Sequence, residues 1–155
     1  MANMCSLDFT IRLPAPEKLR KEMDNSFGDF KWSDEDGDWH DMLIDTVETT
    51  GETELHVFAE IKWSLRQDEA ESLVRLLADT YDAESLTCDY WEEGCGVFGT
   101  YEWDGKKLVD KQGDASKWDD ESDDDWDWKW GLVMEHPKVE EVATIYSKEN
   151  AKSSA

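Results

Sequence analysis

Basic residues are scarce in this chain: 16 Lys and Arg stand against 39 Asp and Glu in 155 residues, a formal charge of −23. Arginine is reduced to Arg12, Arg20, Arg66 and Arg75. Proteins that hold nucleic acid carry Lys and Arg clustered on one face to neutralise phosphates. A chain this acidic repels them, so direct nucleic-acid binding is not expected. Cysteine is equally sparse. Cys5, Cys88 and Cys95 leave an odd thiol under any pairing and show no C-x-x-C spacing, which reads as reduced thiols in a cytoplasmic protein. No apolar run approaches the roughly 18 residues of a membrane helix. The start, Met1 to Cys5, lacks the basic-then-apolar pattern of a signal peptide.

Catalytic signatures are also missing. No Gly-x-Ser-x-Gly elbow, phosphate loop or His-Glu-x-x-His pattern occurs. Of His40, His56 and His136, only His56 sits in a clear strand pattern, beside Glu54 and Glu60, where a surface histidine is the plain reading. No catalytic residue and no cofactor are expected. A metal site is not expected either. Asp34-Glu35-Asp36-Gly37-Asp38 alternates carboxylates, but an EF-hand loop needs Gly at its sixth place and Glu at its twelfth, and here these are Trp39 and Asp45. Cys88, Cys95 and His56 lack zinc-ligand spacing.

What is present is enough apolar material for one core: 39% hydrophobic residues and 12% aromatics, nine of them Trp. Cys5, Leu7, Phe9, Ile11 and Leu13 alternate as a half-buried strand. Pro16 then suits a helix start, with Leu19 and Met23 on one face. Residues 29–41 read as an acidic loop or edge segment around Trp32 and Trp39, and residues 42–47 as a strand. Leu55, Val57, Ala59, Ile61 and Trp63 form the clearest strand. Ser64 and Gln67 resemble a capping box ahead of a helix over 67–80 carrying Ala70, Leu73, Val74 and Leu77. A strand over 86–91 precedes a hairpin turning at Asp104-Gly105. The order predicts an α+β, ferredoxin-like split βαβ antiparallel sheet with an added C-terminal hairpin and a final helix. Residues 1–112 make that domain and residues 113–127 an acidic insert or loop. Residues 128–149 form a terminal strand and helix packing on it. The strand is read from the alternating Trp126, Trp128 and Trp130, the helix from Pro137 with Val139, Val142, Ala143 and Tyr146.

Tyr90-Trp91-Glu92-Glu93-Gly94-Cys95-Gly96-Val97-Phe98-Gly99 follows an aromatic–aromatic–Glu–x–Gly–x–Gly–x–x–Gly signature. With Met1, Asn3 and the strand-ending Trp63, it resembles the YubB-like ferredoxin-like family of plasmid, phage and integrative-element proteins. Met4 stands where the family often has Trp, and Ser64 and Leu65 where it often has prolines. The resemblance covers roughly residues 1–112 and implies a mobile-element origin without assigning an activity.

Ordinary solubility needs a charge of only about 2–8 in a small domain. The excess here is concentrated in residues 34–45 and 114–127, each beside tryptophan. Duplex DNA carries one negative charge per roughly 1.7 Å of axis, and carboxylates on a scaffold meet the same Lys and Arg that phosphates do. The sequence therefore points to a non-catalytic nucleic-acid mimic blocking a basic nucleic-acid-binding host protein of the CRISPR-effector or restriction-enzyme kind. Its partner-binding residues would be Asp34, Glu35, Asp36, Asp38, Trp39, Asp119, Asp120, Asp123, Asp124, Asp125, Trp126 and Trp128. An acidic adaptor or chaperone for a basic protein is the alternative.

Overall fold

Alternation of apolar and polar residues at period two builds most of this molecule. The computed structural model describes residues 3–24, 28–92, 94, 96–117 and 126–153. Strands β1 (Met4–Arg12), β2 (Asp29–Ser33), β3 (Trp39–Thr49), β4 (Glu54–Lys62), β5 (Ser85–Glu92), β6 (Val97–Trp103), β7 (Lys107–Gln112) and β8 (Lys138–Thr144) form one sheet. Its order is β2-β3-β4-β1-β5-β6-β7-β8, with every neighbouring pair antiparallel. Helices are α1 (Pro16–Asp24), α2 (Gln67–Tyr81), α3 (Trp126–Val133) and α4 (Lys148–Ser153).

Cys5, Leu7, Phe9 and Ile11 of β1 and Leu55, Val57, Ala59 and Ile61 of β4 share one buried face, on which α1 lays Leu19 and Met23 and α2 lays Leu73, Val74 and Leu77. Full burial of one such Leu contributes about 1.5–3 kcal/mol, so α2 is the main clamp on the sheet. The intervening residues point the other way. Asp8 lies across from Phe58 on β4 and from Asp89 on β5, which in turn lies across from Thr100 on β6. Among the described residues this second face is covered where α3 sets Trp130 edge-on to Trp91, ring centres 6.4 Å apart.

The single eight-stranded sheet with four short helices corrects the expected ferredoxin-like fold with a final helix. Three segments account for the difference. Of the two forms expected for residues 29–41, a loop or an edge segment, residues 29–33 take the second as edge strand β2, because Phe30 and Trp32 alternate into the core while most of the charges fall in the turn that follows. The tryptophan run is helical from Trp126. Trp130 meets the sheet and Val133, three residues on, is buried, which a helix face satisfies and a strand does not. The segment after Pro137 is strand β8. Its Val139, Val142 and Ala143 match helical spacing, but the exposed edge of β7 offers backbone partners that a helix would leave unmet. A bulge between Leu108 and Val109 adjusts that register.

Candidate functional site

The β2–β3 turn is held by its first residue. Asp34 Oδ1 accepts the backbone N–H groups of Asp36 (2.9 Å) and Asp38 (3.0 Å). The Asp34 N–H donates to the Asp38 carbonyl at 2.9 Å, and the Gly37 N–H to the Asp34 carbonyl at 3.1 Å. Gly37 takes φ +84°, a left-handed value that glycine adopts without a Cβ penalty. The other carboxylate oxygen, Asp34 Oδ2, lies 2.9 Å from His40 Nε2, and His40 Nδ1 lies 3.5 Å from Glu69 Oε2 on α2. The buried His40 thus ties the turn to the helix. Trp32 reinforces the tie, donating from Nε1 to Ser72 Oγ at 2.8 Å, while Ser72 Oγ donates to the Glu69 carbonyl at 3.1 Å. The His40 hydrogen bond, helped by the Asp38 and Asp36 amides, holds the Asp34 carboxyl below its usual range.

This anchoring leaves Glu35, Asp36 and Asp38 facing solvent beside Trp39, whose residue surface is 72% exposed. Asp68, Glu71 and Asp79 line the facing side of an open cleft of about 450 Å³. They recur at helical spacing, so α2 presents them on one side. Arg75 lies among them, its Nε 3.6 Å from Glu71 and 4.0 Å from Glu35. Carboxylate oxygens of Asp34, Asp36 and Asp38 lie within 4.8 Å of one another, and Asp34, His40 and Asp68 make a second such group. These are the oxygens a hard cation would take. Asp34 Oδ1 is already engaged by two amides, and Asp45 lies within β3, outside any EF-hand loop.

A smaller cleft of about 260 Å³ lies between Trp39 and Trp63, with Asp41 and Glu69 in its wall. Trp63 is 56% exposed and has φ +66°, and the Ser64 N–H donates to the Lys62 carbonyl at 2.9 Å. That i→i+2 bond with positive φ is a classic-handed γ-turn, a rare and strained geometry. Leu43 and Phe58 add exposed apolar surface to the open sheet face.

Sequence reasoning placed Asp34, Glu35, Asp36, Asp38 and Trp39 at a partner surface. The structure brings them together, with Asp34 as the anchor and the others presented. Asp119, Asp120, Asp123, Asp124 and Asp125 lie outside the described residues, and Trp126 and Trp128 are described only as backbone of α3. Sequence reasoning missed Asp68, Glu71, Asp79 and Trp63. The first three were legible as acids 3 and 8 apart, one face of the α2 pattern shared with Arg75, whereas nothing local marks Trp63 as left-handed. Ser64 is not the helix cap expected of it; Arg66 precedes the helix, and its N–H donates to Glu69 Oε1 at 3.0 Å.

His56 pairs with neither Glu54 nor Glu60. Its Nε2 lies 2.6 Å from Asp8 Oδ1, and Phe58 packs on its ring at 4.8 Å. Across the strand Asp89 accepts from Thr100 Oγ1 at 2.7 Å. Burial, then the charges of Asp8 and Glu102, raise the Asp89 carboxyl above its usual range. Burial also pushes the Cys5 thiol up to about 11 and Cys88 well above its ordinary value. Both thiols are free and unreactive as placed. Comparison of the chain with protein-family models, with curated proteins and with solved structures gives no match.

Proposed function

We propose that this protein is a non-catalytic nucleic-acid mimic of phage or mobile-element origin that blocks the basic DNA- or RNA-binding channel of a host defence protein. The observation that carries the reading is the pinned turn. Glu35, Asp36 and Asp38 are held exposed by Asp34, His40 and Glu69, and they stand beside the exposed Trp39. A mobile acidic run would lose conformational entropy on meeting a cationic groove; a turn already fixed by four hydrogen bonds loses little. Asp68 and Glu71 across the cleft give a second row of negative charge. Trp39 and Trp63 supply apolar contact of the kind that carries binding energy, while exposed charges mainly steer association and set partner choice. The cellular setting and mobile-element origin rest on the resemblance at residues 90–99.

The test is loss of DNA binding, read by fluorescence anisotropy, in a panel of purified restriction enzymes and CRISPR effectors titrated with this protein. Stoichiometric loss in at least one is expected. The triple variant Glu35→Lys, Asp36→Lys, Asp38→Lys should inhibit roughly 100-fold less well, at about 1 kcal/mol per lost ion pair, with an unchanged circular dichroism spectrum. Unaltered inhibition by that variant overturns the reading for this surface. Capture of a basic protein that keeps its activity favours the adaptor instead.

A further inference from the structure

Asp110 on β7 is a buried carboxylate with no cation within ion-pair distance among the described residues. Only 2% of its residue surface is exposed. Its Oδ1 accepts from the Tyr90 hydroxyl at 2.6 Å, and its Oδ2 accepts from Gln67 Nε2 (3.1 Å) and Gln112 Nε2 (2.8 Å). All three donors are neutral. The same Gln67 amide also donates to Glu140 Oε2 at 2.8 Å, so two carboxylates share one NH₂ group. Lys138 is taken by Glu140 at 2.8 Å, and Arg66 lies against Asp68 (3.2 Å) and Glu69 (3.4 Å). Among the described residues no Lys, Arg or His lies within ion-pair reach of Asp110. Neutral hydrogen bonds stabilise a buried anion without cancelling its charge; Lys138 feels that charge only from beyond ion-pair distance, and in a low-dielectric setting it attracts a further cation at close range.

Asp110 lies at the floor of an open cavity of about 340 Å³ beside the start of α2, walled by Leu65, Val97 and Tyr101 and by the backbone at Phe98, whose side chain falls on the other sheet face. The size suits a small ligand or a single side chain. The glycine–aromatic run of β5 and β6 shapes it. Gly99, across from Tyr90, has no side chain, and a Cβ there would strike the Tyr90 hydroxyl and the Lys111 carbonyl, so the Tyr90 ring can lie over β6 and reach Asp110. Tyr101 stacks on Tyr90 at 5.1 Å and is held by its hydroxyl donating to the Leu65 carbonyl at 2.6 Å. Two fixed aromatic rings beside a carboxylate favour a cation both through the charge and through the ring faces.

We propose that this cavity binds a guanidinium or ammonium group, with the cation donating to Asp110 and its stem lying against Leu65, Val97 and Tyr101. The site is distinct from the acidic turn and does not depend on the mimic reading. A free alkyl cation and a cationic side chain of a peptide share this chemistry.

The experiment is an NMR titration of the full chain followed at the side-chain amides of Gln67 and Gln112. Butylguanidinium is one probe and N-acetyl-arginine amide the other, each run against its neutral urea isostere, butylurea or N-acetyl-citrulline amide. Saturable shifts at both amides are expected with the guanidinium compounds, with affinity at least tenfold above that of the ureas. The tighter of the two cations identifies the source, small molecule or peptide. Asp110→Asn should abolish the difference. Gln112→Lys supplies an internal ammonium for Asp110 without deleting the carboxylate, and it should abolish guanidinium binding with the amide spectrum elsewhere unchanged. Equal response to guanidinium and urea, or undiminished binding in folded Gln112→Lys, overturns the proposal.

Discussion

A bulky side chain in the left-handed region carries strain of about 1–3 kcal/mol, and Trp63 keeps that conformation with half of its surface in water. Little packing offsets the cost, which suits a residue retained for what it presents. Trp63→Gly is therefore expected to raise stability by about 1 kcal/mol in urea unfolding while weakening partner binding. Trp63→Ala keeps a Cβ at the same φ and should gain little stability while losing the same affinity. Asp89 gives the opposite kind of residue prediction. Its carboxyl binds its proton more tightly folded than unfolded, because burial and then Asp8 and Glu102 disfavour the anion. Ionised Asp89 thus costs stability at neutral pH, and the cost fades as pH falls through its raised value. Asp89→Asn keeps an acceptor for Thr100 and removes a like charge set directly across from Asp8. It should stabilise the protein by up to about 1 kcal/mol at pH 7. The gain should be gone below about pH 3.9, where the unfolded Asp is protonated as well. Asp34 runs the other way: its lowered value means that the turn is favoured above the unfolded value and loses that support as pH falls further.

At the scale of elements, strands β1 and β4 and helices α1 and α2 were readable because long segments repeat one period over a single buried face. The turn of the candidate site was readable as composition, but its anchoring was not. His40 and Glu69 are far apart in sequence, and only the packing of α2 against the β2–β3 hairpin joins them. The misread elements are short. Five residues of alternating Trp and Asp or Lys fit a strand and a helix alike, and Lys138–Thr144 carries both a helical spacing and β-branched residues. The deciding term was the open edge of β7, which no local pattern reveals. That edge yields a prediction. Ending the chain after Pro137 removes β8 and Ile145, along with the bond from Trp103 Nε1 to the Ile145 carbonyl at 2.7 Å and that from the Ser147 N–H to the Gly105 carbonyl at 2.8 Å. It exposes the length of β7. The shortened chain should lose at least about 2–4 kcal/mol, the cost of emptying one buried aliphatic site plus unmet hydrogen bonds. It should also self-associate on size exclusion through the bared strand. A monomer of undiminished stability would show that β8 merely decorates the sheet.

For the whole molecule the controlling quantity is the charge of −23. Among the described residues it crowds the β2–β3 turn, α2 and the open sheet face, so it opposes compaction while attracting a cationic groove. Salt acts on both effects through one screening length, about 30 Å at 0.01 M and about 8 Å at 0.15 M. Stability and binding should therefore move in opposite directions along a sodium chloride series. Screening of self-repulsion worth about 1 kcal/mol raises Tm by about 2–4 °C in a chain of this size, while affinity for a basic partner falls by orders of magnitude as steering and ion pairing are lost. Calorimetry and anisotropy on the same samples measure both. The triple Lys variant at positions 35, 36 and 38 replaces three negative charges by three positive ones, so it should flatten the stability curve slightly and the binding curve far more. Equal flattening of the two would mean that the acidic turn contributes only to the molecule's overall charge, with no directed role in meeting a partner.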